Sequence, residues 1–417
     1  MAVITIAKTV GASGADFSTP QLWEDGAPAN LTTAEKSSAG TFLVAAFTQG
    51  ETITFVGSGA TGKFLHTDST GAGTGSYIIY GLTSGNVATN DVATGGTSGA
   101  TCIISSGTPT DTGVIWQGQQ KNEEFTGTGT QLAIAGSTSS AACYKEYTTV
   151  AGASFADNAN KLTNALRYNA SNGAAINGTS NGGTTVTITG AEDFARVTGM
   201  QITATGVAAM ALSTIQATTQ LRSCIFEGTV TGTGTAIGVI QNAAMAFNCL
   251  IVLRATSADH IVSTANSSVS KWYNCTIVAA DDLATAPASV FKSGSAGAVL
   301  VQNCGLFAGA DKPTTSGSAT YTFTTCYGDD STPATGITTA TFSSEFQNVN
   351  DATRDFRLKA GAAELDTGTT DATNAPTDIV GTTRPQGSAY DVGCWELVVA
   401  ASVVPVLYHH YQQARMT

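Results

Sequence analysis

The sequence predicts an all-β chain wound as a single-stranded parallel β-helix, and three observations lead there. Gly (46 of 417 residues), Thr and Ala dominate, and only 12% of residues are charged. The long Leu/Glu/Lys-rich amphipathic stretches that helices need are missing. A chain of this length exceeds one ordinary globular core, so it either divides into domains or repeats a small unit along an axis.

The repeat is the third observation. Leu221-Arg-Ser-Cys224-Ile-Phe226, Ala246-Phe-Asn-Cys249-Leu-Ile251, Trp272-Tyr-Asn-Cys275-Thr-Ile277, Val301-Gln-Asn-Cys304-Gly-Leu306 and Phe323-Thr-Thr-Cys326-Tyr-Gly328 share one pattern, and Val197-Thr-Gly-Met200-Gln-Ile202 fits it with Met at the anchor. The anchors are spaced by 24, 25, 26, 29 and 22 residues, a solenoid interval. The residue three before each anchor is apolar, and so, in all but the last, is the residue two after it. Strict alternation would place these on opposite faces, so a bend beside the anchor must turn both segments inward. Each unit therefore reads as strand, tight corner, strand and looser loop, and such units stack at about 4.8 Å per coil.

This geometry predicts an inward column of Met200, Cys224, Cys249, Cys275, Cys304 and Cys326, with Asn248, Asn274 and Asn303 as an amide ladder beside it. A thiol is small and behaves as a buried hydrophobe, and stacked amides satisfy one another and nearby backbone. Disulfides are the rival use of the eight cysteines. They are disfavoured because side chains of adjacent parallel strands project alongside one another and the expected compartment is reducing.

The remaining elements follow in order. Residues 1–60 form an N-terminal cap, in which Ser18 as N-cap, Pro20 in the first turn and Gln21 completing a capping box open a short helix through Trp23 and Glu24. Such a helix suits the open end of a solenoid. Residues 61–190 are expected as early irregular β coils, although residues 60–150 read equally as a separate β domain. Residues 191–340 are the regular β-helix, 341–398 an irregular closing region, and 399–417 an aromatic, basic, amphipathic tail. In that tail Val406, Leu407, Tyr408, His409, His410, Tyr411 and Arg415 are expected to dock on a partner.

Both ends carry a resemblance. The stretch 355–396 is similar to the closing motif of right-handed parallel β-helix repeat proteins, a phrase like "FRL..GS.A.D.G" followed by "D..G..RP......D.GA.E". It matches at Phe356, Leu358, Gly361, Asp366, Gly368, Asp378, Gly381, Arg384, Pro385, Asp391, Gly393 and Glu396, and departs at Ala362 and Cys394. The opening TVGASGADFSTPQLWEDG resembles the start of β-helix proteins carried by tailed bacteriophages. With the Cys-anchored coils the resemblance spans about two thirds of the chain. It implies the fold, right-handed, far more specifically than an activity, because this solenoid hosts lyases, hydrolases, adhesins and inert virion parts alike.

Composition narrows the function. A net charge of −12 and a pI near 4.6 argue against nucleic acid as partner. No apolar run is long enough to span a bilayer, and the first residues lack the zones of a signal peptide, so assembly in a host cytoplasm is expected. Gly57-Ser-Gly59-Ala-Thr-Gly62-Lys63 imitates a phosphate loop, but Phe64 stands where Ser or Thr must reach magnesium, and the segment reads as a glycine turn. Between residues 198 and 310 only Arg222, Glu227, Arg254, Asp259, Lys271, Asp281, Asp282 and Lys292 are charged, which is sparse equipment for polysaccharide cleavage. Asp259-His260 with Asp281 and Asp282 one coil later are the strongest catalytic candidates there, against the plainer reading of solvated loop charges. Glu123-Glu124 and Glu192-Asp193 are weaker versions. No metal site or cofactor is expected, and Asp366, Asp371, Asp378 and Asp391 read as turn formers.

The function expected from these features is a structural phage virion protein: a capsid decoration, cement or head-fibre component docking on the major capsid protein, in a homo-oligomer such as a trimer. The alternative is a tailspike-type protein that binds or cleaves surface glycans, with Trp116 and Trp272 available to stack on sugars.

Overall fold

In the computed structural model, residues 3–398 are described except 34, 68, 70–72, 74–76, 106–108, 158–160, 180–183, 189–193, 207–209, 215–217, 231–238, 242–243, 256–259, 266–268, 280–288, 294–296, 310–314, 331–333 and 351–352. The chain is an all-β parallel solenoid with three faces. Face one stacks Val3–Val10, Thr110–Gln120, Lys145–Thr149, Arg196–Thr198, Gln220–Arg222, Met245–Phe247, Ser270–Tyr273, Ala298–Gln302 and Thr320–Thr324. Face two runs from Glu124–Thr128 to Ile337–Thr339 in nine strands, and face three from Leu132–Ile134 to Thr315–Gly317 in seven.

Each coil turns from face one to face two at the repeated phrase. Gly199, Ser223, Asn248, Asn274, Asn303 and Thr325 all take left-handed backbone, with φ of 70°, 50°, 51°, 52°, 53° and 53°. Asn tolerates this region better than other residues bearing a Cβ, which accounts for its recurrence before the anchor. Residues on either side stay in register: Val197, Leu221, Ala246, Trp272, Val301 and Phe323 pair in sequence, as do Gln201, Ile225, Leu250, Thr276, Gly305 and Tyr327. The anchors Met200, Cys224, Cys249, Cys275, Cys304 and Cys326 thus occupy equivalent buried positions in the central core. All eight cysteines are free. Anchor thiols donate to carbonyls of their own corner and of the preceding coil, as Cys224 does to Arg222 and Val197 at 3.2 and 3.4 Å. Burial pushes the Cys224 and Cys275 thiols well up, so they remain neutral.

The helix Pro20–Asp25 plugs the open end. Its N-cap is Thr19 rather than Ser18: Thr19 Oγ1 accepts from Leu22 N at 3.2 Å, because Pro20, lacking an N–H, occupies the first helical position. Gln21 completes no capping box. Its Oε1 accepts from Ala133 N at 2.8 Å, and Glu24 Oε1 accepts from Ala135 N at 3.0 Å, so two N–H groups at the first edge of face three are satisfied by side chains. Lys145 Nζ meets Glu24 Oε1 at 2.5 Å in a buried pair. Trp23 enters the first coil over Gly118, where a Cβ would lie 2.7 Å from the indole.

Residues 35–104 leave the solenoid. Glu35–Val44, Thr52–Val56, Thr61–Thr67, Tyr77–Ser84, Val92–Gly95 and Thr101–Ile104 form six antiparallel strands, closed by pairing of the first with the last around a separate core. The expected boundary at residue 60 falls inside this barrel. Parallel coils resume at Thr110, and the stretch 150–174 is a long excursion that obscures their spacing in the sequence.

The barrel is an internal duplication with a forty-residue offset. Ser58-Gly-Ala-Thr61 recurs as Ser98-Gly-Ala-Thr101, and the left-handed positions 45, 50 and 59 recur at 85, 90 and 99. The two halves are cross-bolted: Asp91 accepts from Ser58 N and Oγ at 2.9 and 2.5 Å, while Glu51 accepts from Ser98 N and Oγ at 2.9 and 2.6 Å. The loop that imitates a phosphate cradle is therefore occupied by this chain's own Asp91 carboxylate.

The C-terminal region folds back along the outside of face two. Phe346, Phe356, Leu358, Ile379, Cys394 and Trp395 pack on Ile225, Leu250, Val252, Val278 and Phe307. Residues of the closing motif hold this flap together: Arg384 donates to Asp391 O and Gly393 O at 2.7 and 2.8 Å and pairs with Glu396 at 3.3 Å. Asp378 accepts from Val380, Thr382 and Glu396 N–H groups at 3.0, 2.7 and 3.1 Å.

Candidate functional site

Charged, amide and aromatic side chains line up along the outside of face one. Strand alternation points two rows outward. One contains Gln117, Glu146, Arg196, Gln220, Met245 and Lys271, and the other Thr198, Arg222, Phe247 and Tyr273. The Arg196 guanidinium lies 3.7 Å from the Tyr144 ring centroid and donates to its hydroxyl at 2.6 Å. Arg222 lies 4.1 Å from the Phe247 centroid, and Phe247 stacks on Tyr273 at 5.4 Å and 7°. Arg222 Nε also donates to Gln220 Oε1 at 3.0 Å.

Partial burial, and then the nearby Arg196 charge, pull the Arg222 pKa down. Burial first of all raises that of Tyr144. Glu146 is the one carboxylate among the described residues of these two rows, and it accepts from Gln117 and Thr198 at 2.8 and 3.3 Å. Phe247 and Tyr144 are buried, at 2% and 7% exposure, beneath the groups stacked on them, so the rows present guanidinium groups, amides and the half-buried Tyr273 ring. Two facing carboxyl groups, the equipment of glycoside hydrolysis, are not what these rows present.

Of the catalytic candidates, His260 lies just before the face-three strand Val262–Ala265 and is only 2% exposed, whereas Asp259, Asp281 and Asp282 lie outside the described residues. Glu192 and Asp193 also lie outside them. Glu123 accepts from Ala12 N at 2.9 Å, and Glu124 from Tyr168 Oη and Asn177 Nδ2 at 2.6 and 3.0 Å. The docking residues Val406, Leu407, Tyr408, His409, His410, Tyr411 and Arg415 fall outside the described residues as well. Trp116 and Trp272, expected to stack on sugars, point into the core with 7% and 0% exposure, because their strand positions are the inward ones.

The Asn column faces the flap. Asn303 Nδ2 donates to Thr369 O at 2.6 Å and its Oδ1 accepts from Thr369 N at 2.8 Å, while Asn248 Nδ2 donates to Thr377 O at 2.7 Å. Within the ladder, Asn303 Nδ2 reaches Asn274 Oδ1 at 3.5 Å. The sequence indicated the ladder but not its use, since nothing local to Asn-Cys identifies a loop partner 66 residues away.

No protein-family profile matches the chain, and no curated protein does. Among solved structures it is similar to the pectate lyase Pel9A, with 13% identity, a TM-score of 0.32, and coverage of 68% of this chain and 88% of that one. A likeness of that degree carries no argument about activity. The parallel strand register itself establishes the solenoid, and among the described residues no helix is long and apolar enough to cross a membrane.

Proposed function

We propose that this chain is a structural component of a tailed-phage particle, a capsid decoration, cement or head-fibre protein that docks on the major capsid protein through residues 399–417. It is assembled in the host cytoplasm as a homo-oligomer. The observation that carries this reading is the use made of its carboxylates. Glu24 is paired with Lys145, Glu227 with Arg354 at 2.6 Å, Asp355 with Arg357 at 2.6 Å and Glu396 with Arg384, while Glu51 and Asp91 bolt the barrel halves. Glu24, Glu227, Glu51 and Asp91 act as struts between segments distant in sequence, while the Asp355 and Glu396 pairs brace the C-terminal region locally, which suits a rigid building block. The phage-like opening supports the same reading, since it builds the end plug. Truncation after Val398 tests it: capsid shells should bind the full chain and lose the truncated one, and equal binding of both would remove the docking role.

A second reading, tailspike-type glycan binding, is favoured by the outward Arg196 and Arg222 guanidinium groups and the half-buried Tyr273 outside face one. Its test is binding of host surface polysaccharide by the intact chain and by Arg196→Ala/Arg222→Ala. Saturable binding that the double substitution weakens tenfold or more supports it, and binding indifferent to the substitution excludes this surface.

A further inference from the structure

Glu364 is fully buried, and neither of its carboxylate oxygens has a hydrogen-bond partner. The solenoid makes room for it. In the outward column Gln201, Ile225, Leu250, Thr276, Gly305 and Tyr327, only Gly305 lacks a side chain, and a Cβ there would lie 2.5 Å from Glu364 Oε1. The carboxyl thus fills a notch in the wall at the coil whose Asn303 also grips the flap.

The groups facing it are of one sign or neutral. Glu345 Oε2 accepts from Glu364 N at 3.2 Å, Asp391 lies in the loop whose Val392 N donates to Glu364 O at 3.0 Å, and the Cys304 thiol is on the solenoid side. The nearest cations act on its neighbours: Lys359 on Glu345, and Arg384 on Asp391. A charged carboxylate in this notch would be desolvated, unpaired and repelled by two other acids. Burial first, then Glu345, Asp391 and Cys304, accordingly hold its carboxyl well above the usual range.

We propose that Glu364 is a proton-dependent latch: as the neutral acid it lets residues 342–396 lie closed over face two, and loss of its proton to solvent loosens that flap and uncovers the apolar strip of Ile225, Leu250, Val252, Val278 and Phe307. The sign is fixed by linkage. A carboxyl with a raised folded-state pKa binds its proton more tightly in the closed form, so closure is favoured at low pH and weakens as pH rises from the ordinary carboxylate range through the folded value.

Trp395 reports the flap, being 4% exposed within it, whereas Trp23, Trp116 and Trp272 sit in the solenoid core. Fluorescence of the full chain, titrated from pH 5 to 10 with Trp395→Phe as the assignment control, should show a reversible red shift belonging to Trp395. In Glu364→Gln its midpoint should move up by at least one pH unit, and Glu364→Ala, which needs less room, should behave likewise. A wild-type signal flat to pH 10, or an unchanged midpoint in both neutral variants, overturns the latch.

Discussion

Asn303→Ala tests what the corner asparagine contributes. The substitution removes two hydrogen bonds to Thr369, at 2.6 and 2.8 Å, together with the 3.5 Å contact to Asn274 Oδ1, which is too long to add much. Thr369 is exposed, so water replaces the lost partners and each bond is worth about 1 kcal/mol. Ala must also hold the corner at φ 53°, a left-handed conformation that costs it about 1 kcal/mol more than Asn. The expected loss is therefore about 3 kcal/mol. Asn303→Gly separates the two contributions, since Gly enters this region freely, and should lose about 2 kcal/mol. Urea unfolding followed by tryptophan fluorescence reads both. If Gly proves no better than Ala, the corner does not depend on left-handed backbone. If both variants fall within about 0.5 kcal/mol of wild type, the typical scatter of a surface change, the amide does not hold the flap.

Three further outcomes follow from the same contacts. Glu24→Ala leaves Lys145 buried with a lost charge partner and should cost about 3–5 kcal/mol, read as lost hydrogen-exchange protection in residues 132–149. Gly305→Ala should cost about 1–3 kcal/mol by crowding Glu364, and Gly305→Ala/Glu364→Ala should recover most of it; additive losses would separate the two positions. In the barrel, burial raises the Glu51 pKa, but its bonds from Ser98, Thr48 and Thr97 outweigh this and bring it to about 2, and Asp91 is lowered in the same way. A lowered carboxylate stabilises above its unfolded value and loses that contribution as pH falls, so exchange protection of residues 48–64 and 88–104 should decline from about pH 4.5 toward 2, while the flap is tightest in acid.

The solenoid was legible because its corner makes two demands at once, a residue that accepts left-handed backbone and a small apolar residue after it, and Asn-Cys meets both in coil after coil. The helix plug was legible from Pro20 and Trp23, though its cap shifted by one residue because Pro20 sets the first helical position. The barrel was not. Its two halves share little beyond Ser-Gly-Ala-Thr and Thr54/Thr94, and the bolts that define it, Glu51 to Ser98 and Asp91 to Ser58, swap across the duplication rather than lying within a window. The outward rows of face one were missed for a related reason: Arg196, Arg222, Phe247 and Tyr273 are scattered over 78 residues and meet only through register. Trp116 and Trp272 misled because an aromatic in a short strand does not declare its side until the register is fixed.

Cryo-electron microscopy of intact particles tests the virion role most directly. The account predicts density for the capped solenoid and its barrel on the capsid shell, with residues 399–417 seated against the major capsid protein. Density confined to the tail tip, with the outer surface of face one turned toward the cell, would contradict it.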